Sequence, residues 1–286
     1  PTAASSPPAG LSPPRSDRRP VSGGPCSIVT VRMLRLGSSN DVFPGLPEED
    51  LAPAVCARIL EAALGETVET SVRATWPTED FADRVRGWLA RHEPDVVILR
   101  VAPYWYTYES VPLRVERWFG RAGAPIARAG IRTAASPRIA YNRPFQALRR
   151  ACYRFVGGDT NFTTGEVIAR STAVIRSIVA REGVVLVVRH CDGGKPFERQ
   201  YHARSWRRRR KVDAALRSLC RDLHVPYLSN MDPTIEGSDG YFDGVHLQRD
   251  GQRRVGEEEA AAVLAALGSA APVHTAASAE NVADRG

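Results

Sequence analysis

The sequence predicts an α/β fold in which a five-stranded parallel sheet is covered by helices on both faces. Two observations predict it. Short runs of apolar and β-branched residues, each the length of a buried strand, recur along the chain. Longer segments of helical periodicity lie between them, and this alternation is the pattern of a parallel sheet with crossover helices. The bulk composition agrees: 286 residues, 43% hydrophobic and 25% charged, describe an ordinary globular protein.

Taken in order, strands are expected at Ile28–Leu36, Thr67–Val72, Asp95–Val101, Val184–Val188 and Pro226–Ser229. Helices are expected at Glu48–Leu64, Thr78–His92, Phe145–Val156, Glu166–Arg181, Ser205–Leu223 and Asp250–Leu267. The first helix has Leu51, Val55, Ile59 and Ala62 on one face. The second has Phe81, Val85, Trp88 and Leu89 at helical spacing, with Thr78 placed to cap its start. From Tyr104 to about Arg143 the chain looks irregular and begins with aromatics. It reads as an insertion over the C-terminal edge of the sheet, where ligands bind in open α/β folds. Residues 1–26 are rich in Pro, Ser, Gly and Ala and are expected to be disordered, as are residues 268–286. Residues 27–267 are then the folded domain, and no internal repeat is found.

The net charge is +7, with Arg in excess over Lys. Such a balance leaves room for an anionic substrate or acidic partner without requiring one. The five cysteines (Cys26, Cys56, Cys152, Cys191 and Cys220) are scattered, and none has metal-site or disulfide-framework spacing. No apolar stretch is long enough to span a membrane, and no signal-peptide pattern is visible. A cytoplasmic setting is the expectation.

Two segments carry chemistry. The first expected strand runs into Leu36-Gly37-Ser38-Ser39-Asn40-Asp41. A serine just past a rigid buried strand is well placed as a nucleophile, the neighbouring glycine permits a sharp turn, and following N–H groups can face an anion. Near the other end the chain reads Tyr241-Phe242-Asp243-Gly244-Val245-His246-Leu247. A serine hydroxyl needs a base, and the base needs a group that fixes its tautomer. An Asp three residues before a His can supply both. This loop follows the last expected strand, so it reaches the same sheet edge as Ser39.

Together, Gly37-Ser38-Ser39 and Asp243-Gly244-Val245-His246-Leu247 resemble the SGNH, or GDSL-like, hydrolase family, over most of the chain from about Ile28 to Leu267. The resemblance implies a flavodoxin-like three-layer α/β/α sandwich and hydrolysis of a small-molecule ester without metal or other cofactor. It implies Ser39 as nucleophile, His246 as general base and then acid, and Asp243 as the orienting carboxylate. It also implies an oxyanion hole containing the Ser39 N–H, a main-chain N–H after the second strand and an Asn after the third. Here the chain departs from the family. Ser38 stands where the family has Asp, the second-strand region reads Val72-Arg73-Ala74-Thr75-Trp76 without glycine, and the third-strand position is Tyr104. Ala74 or Thr75 N–H and the Tyr104 hydroxyl are the expected substitutes, with Asn40 as a further candidate. Two alternatives stay open: an acyltransferase using the same triad with water excluded, and a non-catalytic binding module of the same fold.

Other features admit plainer readings. Trp206 to Lys211 reads Trp-Arg-Arg-Arg-Arg-Lys. Arg207 to Arg210 suit an anionic group or acidic partner, or form a solvated helix turn, and nucleic acid is the less favoured ligand. Tyr104, Trp105, Tyr106 and Tyr108 either pack under a loop or line a pocket for an acyl or aromatic group. His190 and Cys191 are expected on opposite sides of an extended strand and so not to act as a pair. His92 is expected to cap a helix end.

Overall fold

The computed structural model describes residues 30–122, 158–192, 203–231 and 246–270, with a few isolated helical positions between 125 and 155. Its strands are β1 (Thr30–Gly37), β2 (Thr67–Ala74), β3 (Val96–Arg100), β4 (Val185–Asp192) and β5 (Tyr227–Asn230). All pair in parallel in the order β2-β1-β3-β4-β5. This is the flavodoxin-like doubly wound order. The chain steps outward from β1 to β2 and then crosses back to β3, so the segments leaving β1 and β3 turn to opposite faces of the sheet, which is the switch point of this fold.

The helices are α1 (Ala52–Leu64), α2 (Phe81–His92), α3 (Tyr104–Thr107), α4 (Val111–Phe119), α5 (Thr164–Val179), α6 (Ala203–Asp222) and α7 (Arg249–Ala270). One apolar layer joins α2, α5 and α6 to the sheet, with Phe81, Ile175 and Leu216 against Leu36, Leu99 and Val188. The other joins α1 and α7 to the opposite face, with Leu60 and Val263 against Met33 and Ile98. Strand residues alternate between these layers, as the pleat requires. The α1–α7 contact is close: a Cβ on Gly256 would sit 2.7 Å from Val55 Cβ and 2.9 Å from the Ala52 carbonyl.

Several boundaries differ from the expected ones for local reasons. Residues Glu48–Asp50 form a 3-10 turn and Leu51 is extended, so α1 starts only at Ala52 with a proline in its first turn. Proline suits that position because its missing N–H belongs to the unpaired first turn. Thr78 does not cap α2, which begins at Phe81. Its hydroxyl instead bonds the Asp80 carboxylate at 2.6 Å. Helix α5 begins at Thr164 behind a capping box between Thr163 and Glu166. The start of the expected irregular insertion is helical, in α3 and α4. The last helix continues through Ala270. The expected helix Phe145–Val156 lies largely outside the described residues, as do residues 1–26. No helix among the described residues is long and apolar enough to cross a membrane.

Candidate active site

The nucleophile candidate sits in a short 3-10 turn, Ser39–Val42, directly after β1. The turn is closed by a reciprocal box. Asn40 N–H donates to Ser38 Oγ at 3.3 Å, and Ser38 N–H donates to Asp41 Oδ2 at 2.6 Å. Asp41 N–H donates to the Ser38 carbonyl at 3.1 Å. The N–H of Ser39 takes no part in these bonds, and its side chain is exposed. Gly37 is needed here for space rather than for a special backbone angle. It is not among the glycines of positive φ, and a Cβ would collide with the Asp41 carboxylate.

Asp41 is the anchor of the turn, and sequence reading missed it. Its carboxylate is fully buried, 2.5 Å from Arg35 Nε and 3.6 Å from Arg100 Nη1. Arg35 also grips both oxygens of buried Glu259 on α7, and Arg189 reaches Glu259 and Glu258. Three arginines from β1, β3 and β4 thus meet three carboxylates between the sheet and α7. Burial alone would raise the Asp41 pKa. The Arg35 and Arg100 charges and the Ser38 bond outweigh that and hold it below the usual carboxylate range.

The base candidate arrives from the loop before α7. His246 Nε2 lies 3.1 Å from Ser39 Oγ, within hydrogen-bond reach. Its ring stacks on Phe43 with centroids 4.3 Å apart and planes 10° from parallel. The next residue is pinned to the nucleophile turn, because Leu247 N–H donates to Asn40 Oδ1 at 2.8 Å. Gln252 ties the same place together by donating to the Asn40 carbonyl at 2.8 Å and accepting from Ala52 N–H at 3.1 Å. Asn40 is therefore a brace through its side-chain and main-chain oxygens, both of which accept. Asp243 lies outside the described residues.

Of the expected donors after β2, Thr75 is otherwise engaged. Thr75 N–H and its hydroxyl both donate to the Gly37 carbonyl, each at 3.0 Å. Successive N–H groups of a strand point to opposite sides, so that of Ala74 faces the outer edge, away from β1. Tyr104 opens α3 at the switch point, partly exposed, and burial with neighbouring Tyr108 raises its hydroxyl pKa. It therefore stays a protonated donor at neutral pH.

The remaining sequence candidates separate. Trp105 and Tyr106 are core residues, whereas Tyr104 faces outward and stacks on Tyr108 at 5.0 Å. The arginine run does not present one basic face. Arg208 pairs with Glu109 at 2.7 Å and Arg209 is buried over the Trp206 ring, leaving Arg207 and Arg210 exposed. His190 and Cys191 do meet, with Nδ1 and Sγ 3.2 Å apart, because pairing of β4 with β5 is irregular between Arg189 and Asp192 and breaks the alternation. His190 is fully buried, 2.5 Å from the Tyr106 hydroxyl through Nε2 and 3.4 Å from Asp213 Oδ1. Burial opposes its charge, but Cys191 and Asp213 outweigh that and raise its pKa to about 9. His92 is not a cap: its Nε2 faces Arg73 Nη2 at 3.0 Å and its Nδ1 faces Ser71 Oγ at 3.4 Å. Among the described residues no group of three His, Cys, Asp or Glu could hold a metal ion.

No protein-family model matches the sequence, and no curated protein matches it. Solved structures do resemble this chain at low identity. One is a psychrotrophic esterase, EstA, from Pseudoalteromonas sp., with TM-score 0.47 and 13% identity, covering 83% of this chain and 98% of that one. Another is an acetyl xylan esterase, AlAXEase, with TM-score 0.49 and 14% identity over 82% of this chain and 100% of that one. A third is a carbohydrate esterase family 2 enzyme with a carbohydrate-binding domain from Corynascus thermopiles, with TM-score 0.48 and 11% identity over 87% of this chain and 69% of that one. The sheet order and the site by themselves define a doubly wound α/β protein with a Ser–His pair at its switch point.

Proposed function

We propose that the protein is a serine hydrolase of the SGNH type that cleaves a small-molecule ester through an acyl-enzyme. The observation that carries this reading is the 3.1 Å approach of His246 Nε2 to an exposed Ser39 Oγ, across 207 residues of sequence. Ser39 attacks the acyl carbon while His246 takes its proton. The carbonyl π electrons move onto the oxygen, which becomes an oxyanion. When the intermediate collapses, the C–O bond to the alcohol breaks and His246 returns the proton to that oxygen. Water then repeats the sequence and releases the acid. Asp243 receives the far N–H of His246 in this scheme. The oxyanion is met by the Ser39 N–H and the Tyr104 hydroxyl, since Thr75 is committed to Gly37.

A fluorophosphonate probe tests the assignment directly. Wild-type protein should be labelled on Ser39, as read by peptide mapping. Ser39→Ala should lose both the label and ester turnover, and His246→Ala should label far more slowly. Undiminished hydrolysis by Ser39→Ala, or a folded wild type whose Ser39 ignores the probe, overturns it. Product analysis with an added alcohol separates hydrolysis from acyl transfer.

A further inference from the structure

We propose that Trp76 and Tyr104 form an aromatic wall beside the nucleophile that selects esters carrying a neutral, planar aryl ring next to the scissile bond. This rests on the reading of Ser39 as nucleophile and names the substrate class of that site.

The wall is tied to the nucleophile strand. Trp76 follows Thr75, whose N–H and hydroxyl both hold the carbonyl of Gly37, two residues before Ser39. Tyr104 rises from the neighbouring strand end at the switch point. Both rings face water, at 41% and 38% exposure, although adjacent Trp105 and Tyr106 are buried. Their centroids are 5.9 Å apart with planes at 76°. A flat ring placed in that corner meets one face and one edge, the two arrangements aromatic pairs favour.

The wall is also already in place. The Trp76 carbonyl accepts from Thr78 N–H and Arg84 Nη2, each at 2.8 Å, and the Pro77 carbonyl accepts from Arg170 at 2.6 Å. The Phe162 ring centroid lies 6.0 Å from that of Trp76. Little ordering is therefore needed on binding. The nearby guanidinium groups are paired, Arg84 with Asp80 and Arg170 with Glu166, so the corner recognises a neutral ring rather than an acid.

Two matched ester pairs test this: ethyl benzoate against ethyl cyclohexanecarboxylate for an aryl acyl group, and benzyl acetate against cyclohexylmethyl acetate for an aryl alcohol. The wild type should prefer the aromatic member of one pair, mainly through KM, and the preferring pair identifies the side. Trp76→Leu should lower that kcat/KM ratio about three- to tenfold, the scale of one aromatic contact, and Trp76→Phe should keep most of it. Saturation-transfer NMR with acetophenone and methyl cyclohexyl ketone reads binding without catalysis. Acetophenone should bind wild type, Ser39→Ala and Trp76→Phe, and lose contact in a Trp76→Leu protein that melts normally. Binding of this kind with no ester turnover would leave the wall standing and remove the nucleophile reading. No aromatic preference in either pair, or a ratio indifferent to Trp76→Leu, overturns the wall itself.

Discussion

Replacing Asp41 by Asn keeps the shape of the side chain but leaves three buried arginines facing only two carboxylates. Removing one partner of a buried ion pair costs ~3–5 kcal/mol, because the remaining charge is stranded away from water. Arg35 keeps its grip on Glu259, and an Asn oxygen can still accept from Ser38 N–H, so the lower end, about 3 kcal/mol, is expected. Equilibrium unfolding in urea should show this as a lower midpoint at constant slope, and the melting temperature should fall by ~6–12 °C. The pH dependence carries a sign. Asp41 titrates below its free value of 3.8, so its stabilisation is present above that pH and is lost as pH falls through the folded value. The gap between wild type and variant should therefore narrow in strong acid. A midpoint shift below about 0.5 kcal/mol at neutral pH, the size expected of an ordinary surface change, would refute this account of the arginine layer.

Further outcomes follow from other contacts. Asn40→Ala leaves the buried Leu247 N–H without its acceptor and should cost ~1–3 kcal/mol by denaturant titration, with kcat falling more than KM as His246 loses its brace. His190 is raised from 6.5 to about 9, so its ion pair stabilises fully below the free value and is lost as pH rises through the folded one. A series of melts from neutral to alkaline pH should show that loss in wild type and a flatter profile in His190→Gln. Gly256→Ala should destabilise by ~1–3 kcal/mol because its Cβ enters Val55 and Ala52. In contrast, Gly268→Ala on the same helix, with open space around it, should gain up to about 1 kcal/mol, and a pair of melting curves compares the two.

The sheet was legible in the sequence chiefly through its central strands, which are largely buried on both faces and spell continuous apolar runs such as Val96–Leu99. Helices α2 and α5 were legible through their spacing, but not at their ends, where the Thr78 hydroxyl turns to Asp80 and the reciprocal Thr163–Glu166 box sets the first turn. Ser39 and His246 were legible as types of residue at strand ends, and their meeting depends on strand order that no local pattern encodes. Arg35, Arg100 and Arg189 were invisible as core residues. A charge inside a strand makes sense only once its counter-charge, 224 residues away for Arg35 and Glu259, is known to sit opposite. The irregular stretch of β4 was hidden for the same reason: His190 and Cys191 look like alternating neighbours until the β5 pairing slips.

Asn40 ties the molecule's opening turn to its final helix, its main-chain carbonyl accepting from Gln252 on α7 and its side-chain oxygen from Leu247 just before it. Whenever α7 loosens from α1 by local opening, the Gln252 and Leu247 bonds go with it and the imidazole drifts off the hydroxyl. On the proposed mechanism, the fraction of molecules with Ser39 and His246 within reach is then set by how firmly the last helix is docked. Amide exchange along α7 should consequently track specific activity across variants that never touch Ser39 or His246.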